Sequence, residues 1–165
     1  MRLTRFQELV ERIHDETVDL DRAAQRAQTS WGKAKLFSGE DAFIDSAALN
    51  LQSFYTGLER IFEQIARGLD QSLPTGENWH QKLLTQISED VPGLRPAVID
   101  RELVTGLDEF RKFRHVIRNI YTTNIDPRRM QVLFDLLPTV WPQVKQELLT
   151  FADFLQVLDE SENTP

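Results

Sequence analysis

Residues 43–69 constrain this chain more than any other segment. Phe43, Ala47, Leu51, Phe54, Leu58, Ile61, Phe62, Ile65 and Leu69 recur three and four residues apart, which puts them on one face of a helix of about eight turns. An apolar stripe of that length has to be covered by other helices. No proline precedes Pro74, and the same spacing makes Phe6, Leu9, Val10, Ile13 and Leu20 the inner face of a first helix over 4–28, with Thr4 as its N-cap. Residues 31–39 read as a connector with at most a short helical turn. The long helix should end at Gly68 and the polar segment 70–78. A short third helix follows, with Trp79, Leu83, Leu84 and Ile87 inward. Pro92, Gly93 and Pro96 break the chain before a fourth helix over 97–122. Asp126 ahead of Pro127 is an N-cap with proline in the first helical position, opening a last helical region to 159 that Pro138 and Pro142 are expected to split or kink. Residues 160–165 form a polar, flexible tail. With no strand-like alternation and no internal repeat, the expected fold is all-α. It is an up-and-down antiparallel bundle of about five helices, forming a single domain over 1–165.

A net charge of −7 and a pI near 5.0 exclude a protein that coats nucleic acid or anionic membrane through its overall field, so any such contact must be local. The absence of cysteine removes disulfides, thiol nucleophiles and thiolate metal sites. His14, His80 and His115 have no zinc-ligand spacing, and the Glu-x-x-His pairs of a di-metal bundle are missing. Neither a metal nor a cofactor is expected. Asp15, Glu16, Asp19 and Asp21 read as a solvated face of the first helix. Residues 1–10 have no continuous apolar run, so neither a signal peptide nor a membrane span is expected, and the cytoplasm is the default location.

Against this acidic background, residues 111–118 carry Arg111, Lys112, Arg114 and Arg118 together with His115. On a helical wheel Arg111, Arg114, His115, Arg118 and Asn119 share an arc of roughly 140°, with Phe110, Phe113, Val116, Ile117 and Ile120 opposite. Guanidinium groups on one side of a rigid apolar helix make a phosphate-sized electropositive seat, which fits phosphodiester substrates. The same pattern also describes a solvated helical face favoured by the C-terminal dipole.

The run Arg114-His115-Val116-Ile117-Arg118-Asn119-Ile120-Tyr121 resembles the signature of HEPN domains. That signature is an arginine, four intervening residues, a histidine, one residue and a tyrosine, with a polar residue often just after the arginine. The chain looks most like the HepT-like toxins encoded beside a minimal nucleotidyltransferase antitoxin. Phe54-Tyr55-Thr56-Gly57-Leu58-Glu59-Arg60-Ile61-Phe62, Gly76-Glu77-Asn78-Trp79-His80 and Arg95-Pro96 are similar to further segments of that family, so that the resemblance spans 47–130.

The resemblance implies a homodimeric, metal-independent ribonuclease whose signature helices meet in one RNA-binding cleft. Arg114 would bind the scissile phosphate, His115 would be its polar partner, Arg111 and Arg118 would add phosphate contacts, and Tyr121 would be the tyrosine that the antitoxin modifies with AMP. The sequence departs from the signature where the histidine is expected, because Asn119 stands there. An amide can orient a 2′-hydroxyl but cannot act as a general base near neutral pH, which leaves His115 as the nearby proton acceptor. Arg111 and His115 are one residue too close to constitute the motif themselves. The alternative is a HEPN domain that has lost cleavage and serves as a nucleotide-, RNA- or partner-binding module. A third reading is a helical scaffold whose basic face is incidental. Tyr55 and Glu59, one turn apart, could line the cleft but read more simply as a helix-packing pair, and His80 reads as structural.

Overall fold

The computed structural model describes residues 2–119 and 125–164. Tyr121, the expected end of the fourth helix at 122 and Pro165 lie outside the described residues. Five helices, α1 (Arg5–Leu36), α2 (Asp41–Ile65), α3 (Trp79–Ile87), α4 (Arg101–Asn119) and α5 (Pro127–Glu162), make an all-α bundle, and no strand occurs among the described residues. Neighbouring pairs fix the directions. Leu20 lies by Gly57 and Ser30 by Ser46, so α1 and α2 are antiparallel. Thr4 meets Asp159 and Trp31 stacks on Phe134, so α1 and α5 are antiparallel as well. Asp100 meets Glu147 and Gly106 abuts Val140, which makes α4 and α5 antiparallel.

The ends of α1 follow from capping and packing. The Gln7 N–H donates to Thr4 Oγ1 and the Thr4 N–H to Gln7 Oε1, both at 3.1 Å, a reciprocal capping box. The expected connector from residue 31 is instead helical as far as Leu36. Trp31 is buried and stacks on Phe134 with ring centroids 5.0 Å apart, and that burial carries the helix past Gly32. At the other end of the chain α5 runs to Glu162, beyond the expected 159. Thr4 Oγ1 and Gln7 Nε2 both donate to the Asp159 carboxylate, at 2.6 and 2.8 Å, which fastens the end of α5 to the start of α1.

Other boundaries moved for equally specific reasons. The α2 chain passes through Gly68 in a wide π-type turn, Ala66–Asp70, and reverses at Gln71, whose φ of 54° is left-handed. Residues 97–100 are not helical, because the Ala97 N–H donates to Asp90 Oδ1, the Val98 N–H to the Ile87 carbonyl and the Asp100 N–H to Glu147 Oε2. Asp100 then accepts from the Glu102 N–H and starts α4. Neither Pro138 nor Pro142 splits α5. Both prolines are exposed, so water can serve the carbonyls they leave unbonded, while burial of Leu137, Val140, Trp141 and Val144 holds the helix together. Asp126 caps α5 as expected, with its side chain accepting from the Arg128 N–H; this hydrogen bond holds the Asp126 carboxyl below its ordinary range.

The core is one continuous cluster centred on α2. Phe54 is fully buried and meets Phe110 of α4 and Trp141 of α5 edge-on, at 5.8 and 5.3 Å between centroids. Below it, Arg95 staples the loop between α3 and α4 to the π-type turn. Its side chain is 0% exposed, and its Nε and Nη2 donate to Asp70 at 2.5 and 2.7 Å. The remaining guanidinium bonds go to the carbonyls of Gln86, Glu89 and Pro96. Removing one partner of such a pair strands a buried charge. Asp70→Ala is therefore expected to cost about 3–5 kcal/mol in urea unfolding. Glu63→Ala, which breaks the pair of half-buried Glu63 with exposed Arg67, should cost less than about 1 kcal/mol. Equal effects of the two substitutions would refute the staple.

Candidate phosphate site at the end of the fourth helix

The apolar side of α4 lies as its periodicity requires, with Phe110 and Phe113 buried and Ile117 partly so. The basic side does not behave as one open face. Arg111 is turned back to its own helix, donating from Nε to Asp108 Oδ1 at 2.5 Å, and Lys112 lies 3.4 Å from both Asp108 and Glu109. His115 and Arg118 are exposed on the last turns. Asn119 is the final residue of α4; its side chain and Tyr121 are outside the described residues.

Arg114 is placed differently from all of these. Side chains of a helix lean toward its N-terminus. That of Arg114 reaches α2, where Nε donates to Thr56 Oγ1 at 2.8 Å and Nη1 to Glu59 Oε1 at 2.9 Å. Its side chain is 15% exposed and that of Glu59 only 4%. The second carboxylate oxygen, Oε2, is 2.7 Å from His80 Nδ1 at the start of α3. An ionised carboxylate only accepts, so Nδ1 carries the proton of this bond. The imidazole stacks on the neighbouring Trp79 ring, with centroids 3.6 Å apart.

Tyr55 lies beneath this cluster, almost wholly buried. Burial raises its phenol far above the ordinary tyrosine range; the Glu59 carboxylate adds to the rise and the Arg111 guanidinium opposes it. The expected helix-packing pair of Tyr55 and Glu59 is thus half of what occurs. Tyr55 packs, whereas Glu59 is an ionic hub between α3 and α4. Its signal in the sequence is a glutamate between Leu58 and Ile61 on a stripe otherwise apolar; a buried carboxylate there needs a cation.

The cluster offers a guanidinium held in one orientation, with an exposed imidazole and a second exposed guanidinium on the same end of α4. That combination can bind a phosphodiester and move a proton beside it. A groove of about 830 Å³ lies elsewhere, between the start of α4 and α5. Its charged lining, Glu89, Asp90, Asp100 and Glu147 against the single cation Arg101, is acidic in balance and disfavours phosphate; burial raises the Glu147 carboxyl there. Among the described residues no group of three or more His, Asp or Glu side chains is placed to hold a metal, and no helix is long and apolar enough to cross a membrane.

The Tyr55 phenol makes a pH-dependent contribution whose sign is fixed. The unfolded chain releases this proton near pH 10 while the folded protein keeps it, so the associated stability is complete below about pH 10 and is lost above it. Urea midpoints measured between about pH 9 and 11 should fall less steeply for Tyr55→Phe than for wild type. Identical slopes would mean that the phenol ionises as freely in the fold as outside it.

A family model described as HepT-like protein matches residues 46–155, a span that contains Glu59, His80 and Arg114 and leaves out the whole of α1. No curated protein and no solved structure matches the chain.

Proposed function

The chain belongs to the HepT-like protein family, and from that premise we propose that it is a HEPN-type, metal-independent ribonuclease toxin of the cytoplasm. It acts as a homodimer and is neutralised by a minimal nucleotidyltransferase antitoxin that adenylylates Tyr121. The observation that carries this reading is the fixing of Arg114 by Thr56 and Glu59, with His115 and Arg118 exposed on the turns beside it. A phosphodiester meeting a guanidinium already held in orientation loses less freedom on binding, and its developing negative charge is met by a donor that need not reorganise. Arg118 supplies positive potential on an acidic protein, whereas Arg111 is paired with Asp108 and would have to leave it to reach a phosphate. His115 accepts the 2′-hydroxyl proton, and Asn119 orients that hydroxyl by hydrogen bonding.

Asn119 also favours a second reading, a domain that binds RNA or its partner without cutting, because the amide replaces the expected acid–base group. Incubating the purified protein with labelled RNA in chelator separates the two. Under the first reading wild type cleaves, and Arg114→Ala or His115→Ala slows cleavage by about 10²-fold or more. RNA left intact by wild type but cut by Asn119→His supports the second. RNA neither bound nor cut by any of these proteins removes the first reading and the RNA-binding form of the second.

A further inference from the structure

Glu59, His80 and Arg114 come from segments more than twenty residues apart in sequence, yet they form one unbroken chain of contacts. Trp79 stacks on His80, His80 Nδ1 meets Glu59 Oε2, and Glu59 Oε1 accepts from Arg114 Nη1. We propose that Glu59 and His80 are positioning residues for Arg114: His80 fixes the Glu59 carboxylate, and Glu59 with Thr56 fixes the guanidinium. The helix α3 thereby sets the orientation of the motif arginine through the Glu59 carboxylate. This inference rests on the reading of Arg114 as the phosphate-binding group.

The physical case starts from the flexibility of arginine, a long side chain that must be ordered each time it grips a phosphate. Two acceptors three residues apart on α2 do that ordering in advance. Glutamate is itself flexible, and a single bond to Arg114 would let the carboxylate rotate. Occupation of its second oxygen by His80 removes that freedom, and the stacked indole of Trp79 restrains the imidazole in turn. The helix that carries His80 is anchored by buried Leu83, Leu84 and Ile87 and, at its far end, by the bond from Arg95 to the Gln86 carbonyl.

The test is arginine-selective labelling of the full chain with phenylglyoxal, with adducts quantified by peptide mass spectrometry and exposed Arg118 as the internal reference. In wild type Arg114 should react severalfold more slowly than Arg118. His80→Ala and Glu59→Ala should raise the Arg114-to-Arg118 ratio severalfold. His80→Asn places an amide nitrogen close to the position of Nδ1 and should stay near the wild-type ratio, whereas Glu59→Gln removes the charge and one of the two acceptors and should raise the ratio as Glu59→Ala does. A purely structural role would shift melting temperature without moving the ratio and without rescue by His80→Asn. An unchanged ratio in His80→Ala, at wild-type helicity by circular dichroism, overturns the inference. RNA affinity is measured on the same samples. A parallel loss of affinity in the alanine variants supports both readings. A changed ratio with unchanged affinity upholds the positioning and overturns the assignment of Arg114 to phosphate.

Discussion

A carboxylate inside a helical bundle has to meet a cation, and Glu59 meets two donors at once. It sits on the helix that forms the centre of the core, between leucine and isoleucine positions that face the same interior. Desolvating it would be prohibitive without Arg114, and desolvating Arg114 would be prohibitive without it. That mutual requirement decides where α4 must lie against α2, and the second carboxylate oxygen extends the same requirement to α3. The candidate site is therefore part of the way three helices are joined rather than an addition to their surface.

The apolar core makes this joint rigid. Phe54, a turn before Glu59, bridges α4 and α5 through Phe110 and Trp141, so the two helices cannot slide without opening the aromatic cluster. Gly57 and Gly106 allow close approaches, with an added Cβ falling 2.9 Å from Leu20 Cδ2 and 3.0 Å from Val140 Cγ2 respectively. Both ends of α3 are tied to these ion pairs by hydrogen bonds, His80 to the Glu59 carboxylate at its start and Gln86 to Asp70 and Arg95 at its far end, which adds to the packing of a helix of only nine residues.

A cation held this way has a different character from one on an open face. Glu59 cancels much of the long-range field of Arg114, so attraction at a distance falls to Arg118 and its neighbours, while Arg114 contributes direction at short range. Under the proposed function, the division suits a protein of net charge −7 that would admit an anionic polymer at one place only.

The helices themselves were legible because each has a periodic apolar face, and Thr4 and Asp126 announce their caps by residue type. What the sequence could not give were features set by partners distant in the chain. Trp31 prolongs α1 because Phe134 is there to stack on, Asp159 prolongs α5 because Thr4 and Gln7 are there to donate, and residues 97–100 stay out of α4 because Asp90, Ile87 and Glu147 take their N–H groups. The same holds at the site. Periodicity alone placed Arg111, Arg114, His115 and Arg118 on one arc of α4, and the signature singled out Arg114. Only the tertiary structure separated the exposed His115 and Arg118 from an arginine drawn inward, since a helical wheel records angle about an axis and not which carboxylate stands on the neighbouring helix.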